Sequence, residues 1–220
     1  MKLSVLALTL GMAFSGSAFA TSATWDTATP WGSATTSQYA EWNIFNATTD
    51  NSPDVALSAA TTASVQETTG TAFLTGGNIY SFALPTAFTA TLSGTTGGTF
   101  DVYLRIGTLG SISSTTATLN GVSATSVVQL NASQGNFGGF GESFEQEAYW
   151  KWTGVTGASL YTFQFNAASS SMSLDQLALA TVAVSSSAIT PVPEPEAYSM
   201  MALGLGLLAF SARRAAKRNA

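Results

Sequence analysis

Period-two alternation of apolar and polar residues is the main pattern along the middle of the chain. In residues 100–106 every second position is apolar, whereas Asp101, Tyr103 and Arg105 occupy the other face. This spacing, with its enrichment in β-forming residues, predicts a half-buried strand. Short strands that recur at roughly 8–12-residue spacing predict an all-β fold, an antiparallel β-sandwich or jelly roll, over residues 21–190. The other predicted strands cover residues 79–84, 88–92, 127–130, 144–155, 160–165 and 172–179.

Polar turn residues separate the predicted strands. Asn120-Gly121 lies between the alternating residues 116–119 and Val122, which predicts a two-residue hairpin turn. The last two segments, residues 161–165 and 173–179, resemble the closing strands of jelly-roll domains, carbohydrate-binding modules among them. That resemblance concerns the fold and does not by itself imply a function.

Three segments of different character follow the predicted domain. The first contains Pro193, Glu194 and Pro195, and its prolines stop a strand or helix from running through it. The second, residues 198–212, is uncharged and would cover about 22 Å as a helix, somewhat short of the roughly 20 residues that a bilayer needs. It predicts a short transmembrane helix, and the basic tail at residues 213–218 should stay cytoplasmic. The basic residues of this tail are Arg213, Arg214, Lys217 and Arg218.

The beginning of the chain has the pattern of a secretory signal peptide. Lys2 precedes an apolar run at residues 3–14, and small residues end it at Ala18-Phe19-Ala20. A charged start, a short apolar helix and an A-x-A ending predict removal of residues 1–20 by signal peptidase after Ala20. The exported body would then begin at Thr21.

The C-terminal segment resembles the PEP-CTERM sorting signal of Gram-negative bacteria that secrete exopolysaccharide. Pro193-Glu194-Pro195 matches the motif, residues 204–208 match its glycine-leucine helix and Arg213-Arg214 match its basic end. The resemblance implies that residues 191–220 are a sorting signal, which the membrane protease exosortase recognises while the precursor is anchored in the inner membrane. It further implies release of the body to the cell surface or extracellular matrix. The alternative is an ordinary membrane anchor.

Composition and charge exclude several classes of function. The chain has neither cysteine nor histidine, which removes disulfides, thiol chemistry and the commonest metal ligand and general base. Residues 21–190 hold ten acidic side chains but only two basic ones, Arg105 and Lys151, which gives a net charge of −8. Nucleic acid is therefore not an expected partner, because phosphate binding needs several bases. We expect no cofactor and no resident metal.

Two glutamates are the candidates for acid–base chemistry. Glu145 and Glu147 are two residues apart, and paired carboxylates serve glycoside hydrolysis. Alternation nevertheless places both on one strand face with Tyr149 and Lys151, opposite Trp150. We predict a solvated face with a Glu147–Lys151 or cross-strand ion pair, and no catalytic residue.

Aromatic residues are the candidates for binding. Trp42, Trp150 and Trp152 lie on faces that should be buried, so we predict that they belong to the core. Trp31 stands between turn-forming residues that favour exposure, and Tyr149 shares a face with charged residues. These two are the possible glycan contacts.

Three hypotheses for the exported body follow. The first is a non-catalytic protein of the cell surface or extracellular matrix, associated with exopolysaccharide or biofilm. The second is a carbohydrate-binding protein, and the third is a secreted glycan-active enzyme. Exposed aromatic residues in a groove would favour the second hypothesis, and two carboxylates that face each other in a cleft would favour the third.

Overall fold

The computed structural model describes residues 24–136, 141–184 and 199–208, together with Arg214. The chain divides into two compact units, residues 1–184 and 185–220. The described part of the first unit contains strands β1 (Thr36–Trp42), β2 (Thr49–Asp50), β3 (Val55–Ala56), β4 (Ala63–Glu67), β5 (Phe73–Thr75), β6 (Asn78–Tyr80), β7 (Ala87–Ser93), β8 (Thr99–Gly110), β9 (Thr116–Leu119), β10 (Val122–Thr125), β11 (Val127–Asn136), β12 (Glu142–Thr156), β13 (Leu160–Asn166) and β14 (Met172–Ala183).

The strands form two antiparallel sheets that enclose one core, which confirms the predicted all-β sandwich. Sheet A has eight strands, in the order β11-β12-β8-β14-β1-β3, with the β5–β6 hairpin attached to β14. Sheet B has six strands, in the order β10-β9-β13-β7-β4-β2. The two closing strands, β13 and β14, therefore lie in different sheets. Sequence neighbours are often separated in the sheets, so the chain crosses repeatedly between the two layers.

The alternating residues of β8 show how the core forms. Phe100, Val102, Leu104 and Ile106 are buried between the sheets, as predicted. Each such side chain contributes about 1.5–3 kcal/mol through its removal from water. Trp42, Trp150 and Trp152 lie in the same core, which confirms their predicted role. The opposite face of β8 was predicted to be solvated, but it is buried as well: Tyr103 is 4% exposed and Arg105 is 2% exposed.

The Asn120-Gly121 turn joins β9 to β10 as predicted. Both residues have positive φ, +47° and +84°, which is the backbone of a two-residue hairpin loop. The Asn120 side-chain oxygen also accepts a hydrogen bond from the Thr162 amide at 2.9 Å, which ties the turn to β13.

The described part of the second unit is helical. Residues 199–208 form a helix, and their side chains are exposed. Within the described ranges, no helix has the length and apolar character needed to cross a membrane. Of the predicted transmembrane segment, residues 198–212, the structure describes residues 199–208, which are helical. The predicted signal-peptide helix, the cleavage point after Ala20 and the Pro193-Glu194-Pro195 motif lie outside the described residues.

Candidate functional site

The outer face of sheet A, which points away from sheet B, carries the glutamates that the sequence singled out. In the register of the sheet, Arg105 lies between Tyr149 on β12 and Ala178 on β14. Two residues before Tyr149 on β12, Glu147 pairs with Gly107 on β8. The Gln176 side chain lies close above Gly107 on this face.

An N-terminal segment, residues 24–35, covers part of this face. The Trp25 ring lies over the Arg105 guanidinium at 4.2 Å, and the Trp25 carbonyl accepts a hydrogen bond from Arg105 Nη1 at 3.1 Å. Trp25 Nε1 donates to Glu41 Oε1 at 2.9 Å, and the Tyr39 hydroxyl donates to the other oxygen of Glu41. Burial raises the pKa of Tyr39, so its hydroxyl stays protonated and remains a donor. Trp25 is consequently 6% exposed.

Beneath this cover, Arg105 and Glu147 form a buried ion pair. Arg105 Nη2 lies 3.1 Å from Glu147 Oε2, and each side chain is only 2% exposed. Burial lowers the pKa of Arg105, while the negative charge of Glu147 opposes that shift. The prediction of a solvated face and of a Glu147–Lys151 pair was therefore wrong, whereas the alternative of a cross-strand ion pair is confirmed, because Glu147 lies on β12 and Arg105 on the neighbouring β8. Lys151 pairs with Asp101 instead, at 2.8 Å.

Glu145 is also buried but has weaker compensation. Its Oε2 accepts a hydrogen bond from Gln134 Nε2 at 3.0 Å, while Oε1 is buried without a hydrogen-bond partner. Burial raises the pKa of Glu145, and the negative charges of Glu147 and Asp175 add to that effect. Glu147 Oε1 likewise has no partner. The two glutamates lie side by side on one strand rather than on opposite walls of a cleft, so they do not form the facing pair of a glycosidase.

The structure places both predicted glycan contacts, Trp31 and Tyr149, in half-buried positions. Trp31 is half-buried because its ring packs edge-on against Tyr39 and Tyr103, each with a centroid distance of 5.7 Å. Its turn setting predicted more exposure than this. Tyr149 is also half-buried, in the row that contains Arg105. Both side chains belong to the covered face of sheet A and not to an open groove.

The described residues include no group of three acidic side chains arranged to hold a metal ion. Asp50 and Asp54, which come close together in the sequence, serve the backbone of their own loops. Asp50 accepts hydrogen bonds from the amides of Asn46 and Ser52, and Asp54 accepts one from the Asn43 amide. Their role here is to order the loops.

Sequence reasoning missed an exposed aromatic cluster at the edge of sheet A. Phe73, Tyr80 and Phe82, called here the aromatic triad, pack on one another with centroid distances of 4.6–5.8 Å. Phe73 is 42% exposed and Phe82 is 68% exposed, so the cluster is not part of the core. The signal was available in the alternation of residues 79–84, but the sequence did not show that the β5–β6 hairpin lies at a sheet edge.

The outer face of sheet B has a depression. Pro85 lines this depression and follows Phe82 of the triad by three residues in the chain. The depression has a volume of about 440 Å³. Every residue that lines it is uncharged. The register explains its chemistry, because Thr89, Gln164 and Thr118 are paired neighbours across β7, β13 and β9 and point away from the core. Thr68, Pro85 and Asn166 complete its rim.

Residues 191–215 match the family model of the PEP-CTERM protein-sorting motif. The chain therefore carries a PEP-CTERM sorting signal, which supports export through exosortase and a transient stay at the membrane. Arg214, in the basic end of the signal, is helical and exposed. Arg213, Lys217 and Arg218 lie outside the described residues. The comparison with curated proteins found no match, and the comparison with solved structures found none either.

Proposed function

We propose that this chain is a non-catalytic protein of the cell surface or extracellular matrix, delivered there by exosortase. The observation that carries the proposal is the sorting motif at residues 191–215. A signal peptide at residues 1–20 would start export, and signal peptidase would remove it after Ala20. The apolar residues 198–212 would then hold the precursor in the inner membrane until processing near Pro193-Glu194-Pro195 releases the body.

The architecture of the body supports a non-catalytic role. Glu145 and Glu147 are the strongest candidates for acid–base chemistry, but Glu147 is bound to Arg105 and both lie in a covered face. The outer face of sheet A is partly covered, whereas the outer face of sheet B is open and has a depression lined by uncharged residues. An open face of this kind fits a protein that contacts other molecules. Exopolysaccharide is the contact that we propose for a Gram-negative cell that uses this sorting route.

The proposal is tested by changing the motif without changing the hydrophobicity of the anchor. Pro193→Ala together with Pro195→Ala should block recognition, so the chain without its signal peptide should accumulate in the membrane fraction. The extracellular form should disappear. The measurement is an immunoblot of membrane and medium fractions in a strain that has exosortase.

Pro191→Ala is the matched control, because it removes a proline from the same spacer but leaves Pro193-Glu194-Pro195 intact. That variant should be processed like the parent. If the Pro193→Ala/Pro195→Ala chain is released as efficiently as the parent, the segment is a linker and the proposal fails.

A further inference from the structure

The aromatic triad places apolar rings at the surface of the body, since Phe73 is 42% exposed and Phe82 is 68% exposed. An exposed contiguous apolar patch generally marks a binding surface, whereas single exposed apolar residues need no explanation. Phe73 and Tyr80 are a cross-strand pair between β5 and β6, and the Phe82 ring contacts both. The hairpin and the Phe82 that follows it thus bring the three rings into contact at the edge of sheet A.

The depression on sheet B extends this surface with hydrogen-bonding groups. Pro85 lines the depression and follows Phe82 by three residues, so the two lie within about 11 Å of each other along the chain. Beyond Pro85, the lining offers hydroxyl and amide groups from Thr89, Thr118 and Gln164. Its volume of about 440 Å³ is in the range of small-ligand sites.

The charge pattern decides which ligand suits this surface. Neither the triad nor the lining of the depression contains a charged residue, and the body as a whole carries −8 over residues 21–190. A polyanion would be repelled by that net charge and would find no base to pair with. Sugar rings, in contrast, have apolar faces that pack on aromatic rings and hydroxyl groups that bond to amides and hydroxyls.

We infer that the aromatic triad and the depression of sheet B together bind a neutral polysaccharide chain. Sugar rings stack on Phe73 and Phe82, and the next sugars of the chain bond to Gln164 and Thr118. This inference rests on the proposed function, because it gives the exported body a ligand of the extracellular matrix. It places the binding surface away from Trp31 and Tyr149.

The test uses the full-length chain in detergent, run through native gels that contain hydroxyethyl cellulose, soluble xylan or alginate. The chain should be retarded in at least one of the two neutral gels and should run freely in the alginate gel. Phe82→Leu, which keeps an apolar side chain but removes the ring, should weaken retention about fivefold. Phe82→Tyr should restore it. Leu160→Ala removes another exposed apolar side chain, 49% exposed in the parent, and should leave retention unchanged.

Far-ultraviolet circular dichroism verifies that each variant keeps its β fold. Free migration in both neutral gels, retardation in alginate alone, or equal retention of the parent and Phe82→Leu would each overturn the inference. Sorting is measured by the location of the chain in the cell, without added glycan. Failure of binding in a correctly released chain is therefore distinct from failure of the sorting proposal.

Discussion

At the scale of single residues, the covered face of sheet A depends on how buried charges are compensated. Arg105 has three partners: the Glu147 carboxylate, the Trp25 carbonyl and the Trp25 ring. A buried ion pair contributes little net stability when both partners are present, but loss of one partner leaves a charge that water cannot reach. Glu145 lacks such a cation, and its Oε1 is buried without a hydrogen-bond partner.

Glu145 should therefore make stability depend on pH. Its pKa is raised above the ordinary value of 4.5, so the folded chain binds this proton more tightly than the unfolded chain does. Stability from this group is fully present below pH 4.5 and decreases as the pH rises through the folded-state pKa. We expect Glu145→Gln, which keeps a hydrogen-bonding side chain without the charge, to be more stable than the parent at pH 7.

The measurement is urea unfolding of both chains between pH 4 and pH 8, followed by tryptophan fluorescence. The advantage of Glu145→Gln should shrink as the pH falls towards 4. Glu142→Gln is the control, because Glu142 lies on the same strand but is exposed. An advantage of Glu145→Gln that stays constant across this range would show that charge is not its cause.

At the scale of elements, the N-terminal segment acts as the cover of sheet A. It has no regular strand of its own in residues 24–35, so its position depends on side-chain contacts. Trp25 provides the main contacts, through its ring on Arg105 and its Nε1–H bond to Glu41. Ala178 and Ala180 on β14, which pair with Arg105 and Tyr103, are buried as well.

Trp25→Ala should undock this segment and destabilise the body by about 3 kcal/mol, because a buried aromatic ring is lost and the Arg105–Glu147 pair is opened to water. Trp25→Phe keeps a ring over the guanidinium and loses only the bond to Glu41, so about 1 kcal/mol is expected. The measurement is the urea midpoint of each full-length chain. Equal losses for Phe and Ala would mean that the ring contact contributes nothing.

The elements also show how far the sequence alone could go. The alternation of β8, the Asn120-Gly121 turn and the core tryptophans were predictable because each is a local pattern. The burial of Arg105 was not, because its guanidinium is covered by Trp25, which lies 80 residues earlier in the chain. For the same reason Trp31 looked exposed from its neighbouring turn residues, although Tyr103 on a distant strand half-covers it.

The proposed binding surface was less accessible to sequence reasoning than the fold. Thr89, Gln164 and Thr118 are far apart in the chain, and only the register of sheet B makes them neighbours. The sorting signal is the opposite case. Its elements follow one another in the chain, so the sequence alone identified a segment that the family comparison confirmed at residues 191–215.

At the scale of the whole molecule, the proposed sorting route requires the two ends of the chain to act in order. A signal peptide at residues 1–20 would begin export, and the tail would later stop it. Four basic residues stand in residues 213–218. Moving one such side chain to the centre of a bilayer costs about 2.5–3.5 kcal/mol, so the tail should resist transfer and hold a short apolar segment in place.

Removal of the tail's charge should therefore release the precursor without processing. We expect a chain in which Arg213, Arg214, Lys217 and Arg218 are all replaced by glutamine to leave the membrane with its sorting signal uncleaved. Without these charges, little keeps the C-terminal end in the cytoplasm. The measurement is the size and location of the chain in membrane and medium fractions. Replacement of the three arginines by lysine keeps every charge and should behave like the parent, since the positive-inside effect depends on charge and not on guanidinium chemistry. Normal retention and processing of the glutamine variant would show that residues 198–212 hold the precursor without help from the tail.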